Sequence, residues 1–96
     1  MNYRLTLRAR GDLEDIATFG ERVWGHHRAS RYVADLLHRM DMIAANPQIG
    51  TRRSFEGERI RAFPSGSHWI VYRTRGDRIE VVSVLHQASG PKRSIV

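Results

Sequence analysis

Apolar and polar residues alternate near both ends of this chain and fall into a helical rhythm between them. Residues 3–8, Tyr-Arg-Leu-Thr-Leu-Arg, place a large apolar side chain at every second position, the period of a half-buried strand. Leu13, Ile16, Ala17, Gly20, Val23 and Trp24 then recur at spacings of three and four, which predicts an amphipathic helix with one buried stripe. Asp12 is a residue type suited to cap that helix, whose start falls there or a little earlier, near Ala9, and Gly25 is the natural stop. A second stripe, made by Ala29, Tyr32, Val33, Leu36, Leu37, Met40, Ile43 and Ala44, predicts a helix from about Arg28 to Ala45. Asn46-Pro47 ends it, because proline disfavours helix in the residue before it. So little chain separates the two helices that they should form an antiparallel hairpin.

Residues 46–58 read as the longest irregular stretch, punctuated by Gly50 and Gly57 and carrying Arg52 and Arg53. Alternation returns in Arg59-Ile-Arg-Ala-Phe, a short strand, and Pro64-Ser65-Gly66 reads as a turn. Strands at about 67–74 and 78–86 flank Gly76-Asp77 as a hairpin. The order β-α-α-β-β-β predicts an α+β domain over residues 1–96, a helical hairpin packed on one face of a small, mainly antiparallel sheet. The other face and both sheet edges should be more open. Residues 87–96 read as a short tail.

Composition narrows the chemistry. Sixteen basic residues stand against ten acidic ones, and all but Lys92 are arginine. Guanidinium groups pair bidentately with carboxylate and phosphate, so the chain suits an acidic protein or a nucleic acid. Cysteine is absent, which removes disulfides, a thiol nucleophile and thiolate-bound metal. No apolar run approaches the roughly 20 residues of a membrane span, and the N-terminus lacks a signal-peptide apolar block, so the cytoplasm is the expected compartment.

Taken in order, Tyr3-Arg-Leu-Thr, Asp12-Leu-Glu-Asp-Ile16, Trp24-Gly25, Ala29, Tyr32, Ile43-Ala-Ala-Asn-Pro47, Gly50, Gly66-Ser-His68, Tyr72-Arg73 and Val84-Leu-His86 span nearly the whole chain. Together they resemble the ParE toxins of type II toxin–antitoxin systems, within the RelE/ParE superfamily. The resemblance implies a cytoplasmic toxin neutralised by a ParD-like antitoxin in a hetero-oligomer, with DNA gyrase as the target. Related RelE-like toxins instead cleave messenger RNA on the ribosome, which is the alternative. The family often carries arginine just before Val-Leu-His, where this chain has Ser83. It commonly carries a Met-Asp pair shortly after, where this chain has Gln87-Ala-Ser-Gly90. Both departures bear on potency, so a third reading is a toxin fold with weak or lost toxicity that serves to bind its antitoxin.

A ribonuclease needs a base for the 2′-hydroxyl, an acid for the leaving oxygen and cations for the phosphate. No lysine precedes Lys92 and no tyrosine follows Tyr72, and arginine, with a pKa above about 12, is a poor base. His68 and His86 remain. A two-residue turn at Gly76-Asp77 sets Arg73 opposite Glu80 and His68 opposite Leu85, sending the imidazoles to opposite faces. A three-residue loop would set His68 opposite His86. The shorter turn is commoner, so no catalytic residue is assigned. No metal site or cofactor is assigned either. His26 and His27 diverge, and His38 has only Asp41 and Met42 within a helical turn.

The expected target-binding residues are His86, Arg93, Arg59 and Arg61. The last two share a strand face. Arg52, Arg53, Trp69 and Arg73 are the expected antitoxin contacts. Sequence-specific DNA binding by this chain alone is not expected, and neither is membrane contact.

Overall fold

The computed structural model describes residues 3–88. Its elements are β1 (Tyr3–Leu5), α1 (Leu7–Trp24), α2 (His26–Ala45), β2 (Thr51–Phe55), β3 (Glu58–Ser65), β4 (His68–Arg75) and β5 (Arg78–His86). They form one five-stranded sheet in the order β1-β5-β4-β3-β2. Strands β2 to β5 make an antiparallel meander, and β1 pairs with β5 in parallel. The α+β class and the helical hairpin are as the sequence predicts. The sheet has one strand more, because β2 occupies the stretch expected to be irregular.

Helix α1 starts before Asp12. Thr6 is its N-cap, and the hydroxyl of Thr6 accepts from Ala9 N at 3.1 Å and donates to Val82 O at 2.9 Å. A hydroxyl can do both at once, so one side chain caps the helix and fastens it to β5. Gly25 alone joins α1 to α2, with φ 92°. That conformation is open to glycine and strained for other residues. Asp12 lies inside α1, where Oδ2 accepts from Ser83 Oγ at 2.7 Å and Val84 N at 2.8 Å.

The helices cover one face of the sheet. Leu13, Leu36, Met40 and Ile43 meet Ile70, Tyr72, Ile79, Val81 and Val84 there, all buried. The opposite face carries its own cluster, in which Phe55, Ile60 and Val71 are buried beside Trp69, Val82 and Leu85. Curvature of the sheet accounts for that burial. Arg8 follows β1 at one edge and Phe55 ends β2 at the other. Four strand spacings would separate the edges of a flat sheet by about 19 Å. Yet the Arg8 guanidinium lies 5.1 Å from the Phe55 ring centroid, and Nη1 bonds Glu56 Oε2 at 2.9 Å. The sheet therefore curls around its second face.

The hairpin of β4 and β5 corrects the expected register. Near the two-residue turn the pairing is as predicted, with Arg73 opposite Glu80. Between Val71 and Tyr72 the register shifts by one residue. Val82 and Ser83 together span the step from Val81, opposite Tyr72, to Ser83, opposite Val71, which is a β-bulge in β5. Beyond it Trp69 faces Leu85, and His68 faces His86. The buried Ser83 and the backbone beside it are held by Asp12. A bulge leaves ladder groups unpaired, and the Asp12 carboxylate supplies the missing acceptor.

Candidate functional site

Two surfaces carry the charged and aromatic residues singled out in the sequence. The first is a corner where β4 begins and β5 ends, under the last turns of α1. The bulge puts His68 and His86 side by side here, with ring centroids 5.2 Å apart and planes at 79°. The expectation that they point to opposite faces is therefore wrong. The turn has the commoner length, but the added residue restores the register of a longer loop.

The protons in this corner follow from the hydrogen bonds. Ser67 N donates to Tyr32 Oη at 2.8 Å, and Tyr32 Oη lies 2.7 Å from His68 Nδ1. The arrangement that uses every group has the tyrosine donating its own proton to Nδ1. Neutral His68 then carries its hydrogen on Nε2. Ala88 N donates to His86 Nδ1 at 3.0 Å, so neutral His86 is also protonated on Nε2. In this arrangement both imidazole lone pairs are committed to groups of the protein. Burial pushes the His68 pKa down, and the neighbouring His86 adds to this, while Asp12 opposes it.

That shift has a direction in stability. The native state resists protonation at His68, so the unfolded chain binds more protons below the ordinary histidine pKa of about 6.5. Stability from this site is complete above that value and is lost as pH falls below it. Thermal melts should show Tm falling as the pH drops below about 6.5, with a shallower fall in His68→Gln. Glu80, held below the usual carboxylate range by its hydrogen bond to Arg73, acts only at lower pH. Equal slopes in the two proteins would contradict the assignment.

Beside the histidines lies a cavity of about 290 Å³ lined by Asp15, Ile16, Phe19, Trp24, Ser67, His68 and His86. Phe19 and Trp24 meet edge to face, and with Val23 they remain 53%, 38% and 56% exposed. The helical period assigns Val23 and Trp24 to the core stripe, yet at the end of α1 both stay partly exposed and form an apolar lip with Phe19.

The second surface is an arginine face at the other edge and the other end of the sheet. Arg52 lies opposite Arg61, and Arg59 is two residues from Arg61 on the same side of β3. They border a shallow depression with Tyr72 and Thr74. Arg61 Nη1 donates to Gly50 O at 2.8 Å and Gln48 O at 3.3 Å, while Arg52 and Arg59 form no ion pair among the described residues.

The expected antitoxin set does not converge. Arg53 alternates to the opposite side of β2 from Arg52, and both lie on a strand rather than a loop. Trp69 belongs to the second apolar cluster. Arg73 is clamped by Glu58 at 2.6 Å and by Glu80 at 2.7 Å, so its charge is spent within the fold. Arg93 lies outside the described residues. Of the expected target residues, Arg59 and Arg61 sit together and His86 stands apart from them. Phe19 escaped the sequence reading altogether, although its place beside the stripe was a usable signal.

The fold and its two surfaces define a small α+β protein with one aromatic face and one cationic face. The chain matches the family described as "ParE toxin of type II toxin-antitoxin system, parDE" over residues 3–91. It is 41% identical to Toxin ParE1 of Caulobacter vibrioides over 86 residues, covering 90% of this chain and 88% of the relative. Toxin ParE1 of Mycobacterium tuberculosis is 36% identical over 94 residues, covering 97% and 96%. A solved chain from "Chromosomal ParDE TA system from P. aeruginosa" shares the fold, with TM-score 0.75, 21% identity and coverage of 90% and 95%. The chain belongs to the ParE toxin family and is the toxin component of a type II toxin–antitoxin system.

Proposed function

We propose that this toxin is a cytoplasmic, non-catalytic poison of DNA gyrase, held silent by a ParD-like antitoxin. The observation that carries the non-catalytic reading is the commitment of both imidazole lone pairs, to Tyr32 on one side and to Ala88 N on the other. A general base needs a free lone pair within reach of the proton it removes. Neither histidine offers one, and arginine does not replace it. Gyrase itself performs the DNA cleavage in this reading, so the toxin has only to bind and stall it. Family membership supports that target, and supports an antitoxin partner as well.

Antitoxin and target share these surfaces. The apolar lip of Phe19, Val23 and Trp24 suits an amphipathic antitoxin segment, which lays apolar anchors into a groove. The His86 corner, Arg93 and the arginine face of Arg59 and Arg61 serve the target. The free edge of strand β2, beside Arg53, also suits an added antitoxin strand.

Induction in cells separates this function from the ribosomal alternative. The expected result is a DNA-damage response without codon-phased cleavage of transcripts. Cleavage of ribosome-bound RNA by the purified toxin, abolished in His86→Ala, would overturn the proposal.

A further inference from the structure

From the arginine face we infer a sequence-independent contact with the phosphodiester backbone of duplex DNA. The choice of duplex DNA rests on the gyrase reading, because that target holds such DNA.

Three observations support the inference. The first is the uncompensated charge. Arg52 and Arg61 are directly opposed across β2 and β3, an arrangement that repels and destabilises a sheet. No carboxylate neutralises Arg52, Arg59 or Arg61 among the described residues, although Glu58 and Glu80 clamp Arg73 nearby. The fold tolerates a repulsive cluster that an anionic partner would relieve.

The second is spacing. Residues two apart on a strand are separated by about 6.8 Å, roughly the through-space distance between adjacent phosphates of one DNA strand, which wind around an axial rise of about 3.4 Å per step. Arg59 and Arg61 have that separation, and Arg52 adds a third charge about one strand spacing away. Arg61 is already fixed by the carbonyls of Gly50 and Gln48, so one guanidinium is oriented before any ligand arrives.

The third is the character of the surface. Protein–protein interfaces have an apolar centre, whereas protein–DNA interfaces are polar and strongly cationic. The depression is bordered by five arginines, with its single carboxylate, Glu58, paired to Arg73 and the Tyr72 side chain buried. The exposed aromatic residues lie instead at the distant corner, around Trp24. An acidic protein is therefore the poorer fit here.

The test is fluorescence anisotropy of a short labelled DNA duplex titrated with the purified full chain, without gyrase, between about 50 and 200 mM salt. Arg52→Gln/Arg59→Gln removes two exposed charges and spares Arg61. Arg31→Gln/Arg39→Gln, on exposed positions of α2, makes the same change in net charge elsewhere. The wild type should bind with log affinity falling linearly with log salt. The face variant should bind about tenfold more weakly, with the slope reduced by about 1.8, while the α2 variant keeps both.

Equal weakening in both variants would reduce the effect to net charge and overturn the inference. So would an absence of binding, a preference for single-stranded RNA of equal length, or equal displacement by polyglutamate at matched charge. Gyrase poisoning is assayed separately. If poisoning is absent but duplex binding depends on the face, the gyrase reading fails and the DNA contact stands.

Discussion

Replacing Asp12 with alanine should lower stability by about 3 kcal/mol and Tm by roughly 15 °C. One carboxylate oxygen of Asp12 accepts from Ser83 Oγ at 2.7 Å and from Val84 N at 2.8 Å. Ser83 is fully buried, and Val84 nearly so. Truncation strands a hydroxyl and a backbone N–H at the bulge, and each unsatisfied group costs about 1–3 kcal/mol. In a domain of this size, with total stability on the order of 5–15 kcal/mol, the loss is a large fraction. The conservative change Asp12→Asn keeps one acceptor oxygen and should lose clearly less. The bulge sets His68 against His86, so Asp12→Ala should also weaken the magnetisation transfer between the two rings in NMR spectra. A loss below about 0.5 kcal/mol, measured by urea unfolding, would contradict this role for the carboxylate.

Gly50→Ala should cost about 2–4 kcal/mol for a different reason, which is overpacking. A Cβ at this position would sit 2.6 Å from Tyr72 Oη, 2.9 Å from Tyr72 Cε1 and 3.1 Å from Ala62 O. The ring of Tyr72 has no room to yield. It is fully buried, and its hydroxyl accepts from Gly50 N at 2.9 Å and donates to Pro47 O at 2.7 Å. Burial pushes the Tyr72 phenol pKa up, against its bond from Gly50 and the nearby Arg61. The damage should reach the arginine face, because Gly50 O holds Arg61. Tyr72→Phe removes the atom nearest the clash, so the double variant should lose at least about 1 kcal/mol less than the sum of the two single changes. Strict additivity would show that the tyrosine hydroxyl is not what excludes a side chain at residue 50.

These two sites also show where sequence reading reaches its limit. Periodicity located both helices because their buried stripes face one continuous sheet, alternation located β1 and β3, and the Gly76-Asp77 turn signal located β4 and β5. It missed β2 because Thr51-Arg-Arg-Ser-Phe55 is an edge strand exposed at four of its five positions, with no apolar face to alternate. The signal available was the Glu56-Gly57 turn between it and β3. The bulge was hidden by composition. Val81-Val-Ser-Val-Leu85 is nearly continuous in apolar residues, so a slip of one residue leaves no break in the pattern. Asp12 reads as a helix cap by residue type, yet its partners lie about seventy positions away and recruit it for β5. Long-range hydrogen bonds have no local signature. The family resemblance was legible because it depends on ordered motifs along the chain, whereas the docking faces depend on which residues the sheet brings together. Arg52, Arg59 and Arg61 meet only because β2 exists.

Gyrase poisoning is read out by incubating purified gyrase, ATP and plasmid with this toxin, with and without its antitoxin. Linear and nicked plasmid should accumulate with the toxin and disappear when the antitoxin is added. Unimpaired supercoiling at a toxin concentration where the protein is folded, together with inhibited translation, would contradict gyrase poisoning.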